Sequence, residues 1–341
     1  MVTWNVSYEG ITSNFQNVRD FIVFTMNPPW ERCVSYFPHS PKKVVYVKDL
    51  EGETLEEYIK NASALKVDYV VGVGGGQAID AAKFVALKTG LKFIAIPTIV
   101  SVNAYVTPRA AVRTEGIVNY IGDKFADLIV IDYSIIKTAP PRLNTAGVGD
   151  IYSTKIGLMD WKLANEKYGD QYDQDTVNEG ERIVAKLLSK AGEIRAVSDA
   201  GIRTLVELHQ EITSLQRPYT LQRVKSSKSQ FHGLWPEEGS EHVFFYSLEK
   251  QTGRTFTHGE IVGAGTVISA YLHRRDTGPV IKDLDSFGLM FRPRDSNISR
   301  SEFGTAIHNM QKVALAMGLD YPVLSQEIEE KQVGDLWRLL S

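Results

Sequence analysis

The sequence predicts an α/β N-terminal domain, Rossmann-like with a mostly parallel sheet, followed by an all-α C-terminal domain. In the first half, short β-type runs alternate with helical patterns, which is typical of right-handed βαβ crossovers. A glycine-rich turn joins one of these runs to a helical pattern. After Pro140-Pro141, apolar residues recur at helical spacing and few β-type runs remain. At 341 residues the chain exceeds the usual size of one core, so we expect two domains, 1–142 and 143–341.

Each predicted strand is a short run of apolar and β-branched residues bounded by polar or turn residues. The predicted strands are 20–26, 43–48, 69–73, 91–97 and 128–132. Between them, good helix formers predict helices at 56–65 and 78–87. The second half predicts helices at 150–165, 177–191, 198–215, 259–274 and 301–317, with a polar loop at 216–229.

The run Gly74-Gly75-Gly76 lies between a predicted strand and a predicted helix. Consecutive glycines let the backbone approach a ligand closely, and a helix start offers unpaired N–H groups at the positive end of its dipole. These properties favour a phosphate or pyrophosphate site, because ligands of parallel sheets bind beyond the carboxyl ends of the strands. Turns of this kind also serve as simple tight connections, so the run alone leaves both interpretations open.

The composition argues against several classes of partner. The net charge is −3 and no long basic block occurs, which is unfavourable for binding nucleic acid or an anionic membrane surface. No apolar run approaches the roughly 20 residues that span a bilayer, so we expect no membrane insertion. Cys33 is the only cysteine, which rules out an intramolecular disulfide and fits a reducing compartment. We therefore expect a cytoplasmic protein that acts on small molecules.

Two histidines and one aspartate form a candidate metal site. His242 and His258 lie too far apart in sequence to form a local chelate on one helix. Asp150 follows a glycine pair much earlier in the chain. Two imidazoles and one carboxylate suit a tetrahedral divalent ion and leave one position open for substrate or water. Histidines are more often ordinary polar residues than ligands, so spacing alone leaves the metal site open.

The glycine turn begins a series of motifs that resembles the iron-containing alcohol dehydrogenase and dehydroquinate synthase-like superfamily. The decapeptide Gly-Gly-Gly-Gln-Ala-Ile-Asp-Ala-Ala-Lys at 74–83 is similar to its Gly-Gly-Gly-x-x-x-Asp-x-x-Lys signature. The later motifs follow in the same order: Pro97-Thr98 with Ser101, Ala139-Pro140, Gly147-Val148-Gly149-Asp150, Asp160-Trp161, Gly239-Ser240-Glu241-His242 and His258-Gly259-Glu260. This set is most similar to the glycerol-1-phosphate dehydrogenase branch, and the resemblance covers residues 20–265.

The resemblance implies a dehydroquinate synthase-like fold and a metal-dependent hydride transfer. Asp150, His242 and His258 match the ligands of a catalytic divalent metal, with zinc expected before iron. The implied activity is that of an NAD(P) oxidoreductase, which moves hydride between the nicotinamide and a small polyol, polyol phosphate or ketose-type substrate. Such proteins commonly form dimers or larger assemblies, so we expect a homo-oligomer.

The resemblance also assigns residues to the binding of NAD or NADP. The matched positions are Gly74, Gly75 and Gly76 over the pyrophosphate, Asp80 behind that turn, and Thr98 and Ser101 on the nicotinamide side. An acid after an early strand commonly accepts the adenosine ribose hydroxyls and disfavours NADP. The first strand here ends in Thr25-Met26-Asn27, and Asn27 is neutral, so we expect both cofactors to bind.

Three departures from the family pattern leave the substrate open. Asn103 stands where relatives commonly have a substrate-contacting Asp. As a catalytic residue it would alter the orientation of the polyol or the rate of the reaction, and its alternative role is to cap a turn. Tyr246 replaces a further histidine of glycerol-1-phosphate dehydrogenases, and packing is its alternative role. The segment 231–238 lacks an arginine available for a phosphate. A sugar-phosphate cyclase resembling dehydroquinate synthase and a catalytically weakened nucleotide-binding homologue therefore stay as alternatives.

Overall fold

The computed structural model describes residues 3–114, 117–225 and 238–341, and only the backbone of 117 and 216–225. The chain divides into two compact units. One comprises Met1–Asn144 with Val197–Ile202, and the other comprises Thr145–Ala196 with Arg203–Ser341. This division lies just beyond the predicted boundary, and it assigns to the first unit a short segment that the prediction assigned to the second.

Local contacts explain where the first unit ends. The side-chain oxygen of Asn144 accepts from the backbone N–H of Val100 at 3.1 Å. Its amide donates to the carbonyl of Ile136 at 3.1 Å. Lys137 forms an ion pair with Asp199, which belongs to the later segment assigned to this unit. These side-chain contacts are not encoded in any local pattern of apolar residues, so the sequence pattern does not reveal them.

The first unit is built on a parallel sheet, as predicted. Its strands, numbered along the chain, are β1 Val6–Ser7, β2 Phe21–Thr25, β3 Lys43–Tyr46, β4 Tyr69–Gly74, β5 Lys92–Pro97 and β8 Leu128–Val130, with a separate antiparallel hairpin of β6 Ala110–Thr114 and β7 Ile117–Ile121. The sheet order is β1-β8-β5-β4-β2-β3, and every neighbouring pair is parallel. Strand β1 and the hairpin are absent from the prediction, because β1 has two residues and shows no period.

Helices cover both faces of this sheet. The helices up to residue 145 are α1 Gly10–Asn14, α2 Asn27–Cys33, α3 Gly52–Ser63, α4 Gly76–Thr89, α5 Tyr133–Ile136 and α6 Pro141–Thr145. Alternate residues of the central strands share one buried cluster with Phe15, namely Phe21, Val23, Val71, Val73, Ile94 and Ile96. The residues between them, such as Ile22 and Val70, are also fully buried. Burial on both faces explains why these strands read as continuous apolar runs.

The strand order creates a ligand-binding edge. Strand β2 lies between β3 and β4, so the chain crosses over β2 on its way from one to the other. Thr25 pairs in register with Val73, and its hydroxyl donates to the Val73 carbonyl at 2.8 Å. The residues that follow the two strands, including Asn27 and the glycine turn, therefore lie at the same edge. In open α/β sheets, ligands bind at such a reversal of strand order.

The second unit is mostly helical, as predicted, and it has no strand among its described residues. Its helices are α7 Gly147–Tyr152, α8 Thr154–Tyr168, α9 Gln174–Ser189, α10 Ala191–Arg195, α11 Asp199–Lys225 (from Arg203 onward), α12 Ser240–Thr252, α13 His258–Leu272, α14 Gly278–Ser286, α15 Arg300–Ala316 and α16 Glu330–Leu340. The polar loop predicted at 216–229 is wrong over 216–225, because α11 continues through those residues, and 226–229 lies outside the described part. No helix among the described residues is long and apolar enough to cross a membrane.

Candidate active site

The glycine turn joins β4 directly to α4. Gly74 ends the strand with a φ of +147°, a backbone conformation that favours glycine. A Cβ at this position would also lie 2.9 Å from the Cβ of Ala78. Gly75 is the N-cap of α4, and no side chain caps the helix there. The first N–H groups of α4 are thus left to an external acceptor such as a phosphate.

A loop after β5 packs against this turn. The Thr98 N–H donates to the Gly74 carbonyl at 3.0 Å, and Thr98 is buried. A Cβ on Gly75 would lie 3.0 Å from Ile99, and one on Gly76 would lie 3.0 Å from Val102. The loop also contains the two other predicted site residues of this region, Ser101 and Asn103: Ser101 is buried, and Asn103 begins a 3₁₀ turn.

Asp80 lies on the buried face of α4 and pairs with Lys83. The Lys83 ammonium donates to Asp80 at 2.9 Å and to the carbonyls of Ala104 and Arg109 at 2.6 Å each. Burial raises the pKa of Asp80 and lowers that of Lys83, while the ion pair opposes both shifts. The pair thus ties α4 to the end of the loop that packs on the glycine turn. This contact gives a physical basis for the expected role of Asp80 in fixing that turn.

Asn27 begins α2 immediately after β2. Pro29, on the same helix, lies 3.8 Å from the position of a Cβ on Gly74. The predicted cofactor residues of the first unit therefore come from three strand ends at one edge of the sheet. Their contact with NAD or NADP stays a prediction.

Asp150, His242 and His258 converge in the second unit. They lie on α7, near the start of α12 and at the first position of α13. One oxygen of Asp150 lies 2.9 Å from Nε2 of His258 and 3.5 Å from Nε2 of His242. One ligand atom from each residue lies within 4.8 Å of the others. Two imidazole nitrogens and a carboxylate oxygen at this spacing fit a zinc or iron ion with a position to spare.

A contact between two glycine backbones brings Asp150 beside His258. A Cβ on Gly149 would lie 1.9 Å from the carbonyl oxygen of Gly259. A Cβ on Gly259 would lie 1.8 Å from the carbonyl oxygen of Ala146. Helices α7 and α13 therefore touch through their backbones at the residues next to the two ligands. Only glycine permits this approach, since real Cβ atoms do not come so close to an oxygen.

The electrostatics of the cluster favour a cation. Burial would raise the pKa of Asp150, but the His258 and His242 imidazoles outweigh it and hold that pKa well below its usual range. Burial would lower the pKa of His242, but its hydrogen bonds to Asp150 and Glu241 raise that pKa well above its ordinary value. The carboxylates thus hold positive charge at this position, and a divalent ion can supply it in place of a proton.

The cluster opens on one side. Asp150 and His242 are buried, whereas 18% of the His258 side chain is exposed. Tyr246, one turn along α12 from His242, is buried and donates to Glu238 at 2.7 Å. The tyrosine thus packs beside His242, with ring centroids 6.3 Å apart. Of the segment 231–238, only Glu238 lies within the described residues.

The chain is similar in sequence to several known proteins. A family model for iron-containing alcohol dehydrogenases matches residues 39–140. A glycerol-1-phosphate dehydrogenase of Thermoplasma volcanium is 29% identical over 285 residues, 81% of this chain and 77% of that protein. An enzyme of the same name from Methanospirillum hungatei is 31% identical over 249 residues, 73% of this chain and 66% of that protein. The chain belongs to the iron-containing alcohol dehydrogenase superfamily. The predicted superfamily and oxidoreductase class are thereby confirmed.

A solved structure has the same fold as this chain. The crystal structure of glycerol dehydrogenase from Schizosaccharomyces pombe superposes with a TM-score of 0.70. It covers 99% of this chain and 88% of its own, at 17% sequence identity. At that identity the likeness concerns the fold alone, and it confirms the predicted combination of a parallel-sheet domain and a helical domain.

Two residues around the cluster, Glu241 and His209, are not among the site residues predicted from the sequence. Glu241 accepts from Nδ1 of His242 at 2.9 Å. His209 is fully buried, and burial lowers its pKa while the negative charge of Asp150 raises it. The signal for Glu241 was its place directly before a candidate ligand. His209 lies within a long helical pattern, and the pattern indicates only a polar residue at this position. Its proximity to Asp150 follows from the packing of the helices and not from the sequence.

Proposed function

We propose that this protein is a cytoplasmic, metal-dependent NAD(P) oxidoreductase that interconverts a small polyol phosphate and its ketone, of the type glycerol 1-phosphate and dihydroxyacetone phosphate. The convergence of Asp150, His242 and His258 carries the proposal. The names of the relatives, glycerol-1-phosphate dehydrogenases that use NAD(P)+, supply the substrate and cofactor class. A homo-oligomer is part of the proposal.

The residues of the second unit would hold the metal. Asp150 supplies the charge, and His242 and His258 supply the nitrogen ligands. When bound, a divalent ion supplies a Lewis acid that lowers the pKa of a substrate hydroxyl. The partly exposed side of His258 leaves room for that hydroxyl to enter.

The residues of the first unit would hold the dinucleotide. The N–H groups at the start of α4 would bind the pyrophosphate, and the glycine turn would keep side chains away from it. When bound, the oxidised nicotinamide would supply the hydride acceptor for oxidation of the alcohol to a ketone, with the hydroxyl proton released. Thr98, Ser101 and Asn103 are the proposed contacts on the nicotinamide and substrate side.

The test is an assay of the full chain after reconstitution with Zn2+ or Fe2+. Glycerol 1-phosphate and glycerol are offered with NAD+ or NADP+, and dihydroxyacetone phosphate with the reduced cofactors. We expect steady formation or consumption of NAD(P)H with the phosphorylated pair. Product formation without accumulating NADH would instead favour a cyclase, and dinucleotide binding without any turnover would favour a weakened homologue.

His258→Ala tests the assigned metal site. Loss of a ligand removes several kcal/mol of charge stabilisation, so turnover should fall by about a thousandfold or more, together with the bound metal. His308→Ala is the matched control, since His308 pairs with Glu330 near the surface. Full activity and full metal content in His258→Ala would refute the assignment.

A further inference from the structure

Glu241 is a fully buried carboxylate directly behind the proposed metal site. Its Oε1 accepts from the N–H of Gly239 at 2.7 Å and lies 2.9 Å from Nδ1 of His242. Neither the metal cluster nor the hydride transfer as described above uses this residue. An acid at a position with no access to water therefore calls for a physical explanation.

The contact with Glu241 decides which nitrogen of His242 is free. A carboxylate oxygen can only accept, so Nδ1 carries the proton in this hydrogen bond. The lone pair of the neutral imidazole is then on Nε2, the nitrogen that lies 3.5 Å from Asp150. The hydrogen bond also fixes the rotation of the ring, because Nδ1 cannot leave Glu241 without breaking it.

Keeping this carboxylate buried has a structural cost. Among the described residues, Oε2 of Glu241 has no hydrogen-bond partner. A buried acceptor without a partner costs about 1–3 kcal/mol, and native structures contain few such groups. A position that only needed to fill space would be occupied at lower cost by an apolar side chain.

The surroundings of Glu241 are built to admit it. A Cβ on Gly239 would lie 2.5 Å from Oε2 of Glu241 and 2.7 Å from Oδ2 of Asp160. Asp160 in turn accepts from the N–H of Ser240 at 2.6 Å and pairs with His273 at 2.8 Å. The backbone just before His242 is therefore held by two carboxylates, because Gly239 donates to Glu241 and Ser240 donates to Asp160.

We infer that Glu241 is a positioning residue for the metal site: through its hydrogen bond to Nδ1, it orients His242 so that Nε2 faces the ion. This inference rests on the proposed metal site. Removal of the hydrogen bond should weaken metal affinity about 10- to 100-fold, the usual effect of losing a partner that orients a ligand histidine.

The experiment measures the dissociation constant for Zn2+ by chelator competition, with the full chain and without substrate or cofactor. Glu241→Ala removes the acceptor, whereas Glu241→Gln keeps an oxygen that can accept from Nδ1. Glu249→Ala is the matched control, because Glu249 is a buried acid two turns along the same helix from His242 and accepts from the N–H of Phe256.

We expect Glu241→Ala to bind Zn2+ 10- to 100-fold more weakly, Glu241→Gln to recover most of that loss, and Glu249→Ala to match the parent within about twofold. Equal affinity of Glu241→Ala and the parent would overturn the inference. An equal loss in Glu249→Ala would also overturn it, since general loosening of α12 would then explain the effect. Failure of the parent chain to bind Zn2+ would instead refute the metal site itself.

Discussion

The glycine turn of the first unit and the cluster of Asp150, His242 and His258 in the second are the two proposed ligand sites, and they are built in opposite ways. At the turn, three glycines leave no side chain in front of α4, so the backbone N–H groups at the start of that helix can bind a ligand. At the cluster, charged side chains from three helices are buried together around one point. The first site is one contiguous stretch of chain, whereas the second exists only once distant helices have packed. Disturbing the packing should therefore affect the second site more than the first.

Of the substitutions considered, Gly149→Ala is expected to have the largest effect on the second site. The new methyl group would meet the carbonyl oxygen of Gly259 at 1.9 Å, and a backbone oxygen cannot rotate away. We expect a loss of at least about 3 kcal/mol in the free energy of unfolding. Because α7 and α13 are forced apart, Asp150 should also separate from His258 and zinc affinity should fall. Urea denaturation and zinc titration measure both effects.

Gly192→Ala is the control for this substitution. Gly192 lies in the short helix α10, and a Cβ there would have no neighbour within 4 Å. Its free energy of unfolding should change by less than about 1 kcal/mol, with zinc affinity unchanged. If both alanine variants behave alike, the backbone contact does not position the ligands.

A buried histidine of the second unit, His209, should make the free energy of unfolding depend on pH. Burial lowers the pKa of His209 from its ordinary value of 6.5 to about 4. Above pH 6.5 this histidine is neutral in both the folded and the unfolded chain. Between pH 6.5 and 4 only the unfolded chain takes up the proton, so stability falls by about 3 kcal/mol as the pH is lowered.

His209→Gln isolates this contribution. The variant carries no titrating group at the position, so its free energy of unfolding should fall less steeply than that of the parent over the same pH range. Denaturation curves at pH 7 and pH 4 for both chains give the difference. Parallel pH profiles would show that His209 is not responsible.

A smaller effect is expected at the glycine turn. Gly74→Ala places a side chain on a φ of +147° and 2.9 Å from the Cβ of Ala78. Backbone strain of this kind costs about 1–3 kcal/mol, so dinucleotide affinity should fall about tenfold or more while zinc affinity stays unchanged. Fluorescence titration with NADH and NADPH measures the first and zinc titration the second.

Gly90→Ala provides the matching control at the other end of the same helix. Gly90 has a φ of +74°, and a Cβ there would have no neighbour within 4 Å. Its variant should lose about 1 kcal/mol of stability and keep its dinucleotide affinity. Weaker dinucleotide binding in Gly90→Ala would mean that strain in α4 alone explains the result at Gly74.

The two sites also differ in how far the sequence predicts them. The turn at 74–76 could be read directly, because strand, glycines and helix follow one another in the chain. The triad needed the resemblance, since nothing in the spacing of Asp150, His242 and His258 shows that they meet. The contact of Gly149 with Gly259 explains why they do, and it depends on a helix crossing that no local pattern encodes. Strand β1 and the hairpin were missed for a related reason, because they are defined by their partners.

The backbone contact between α7 and α13 has an evolutionary consequence. Any residue other than glycine at position 149 or 259 would displace Asp150 or His258, two of the proposed metal ligands, and would weaken the fold in the same step. Substitutions that adapt this fold to a new substrate are therefore expected outside the crossing of α7 and α13. They are left to side chains that border the ligands without setting their spacing, and Tyr246 with its partner Glu238 is one such place.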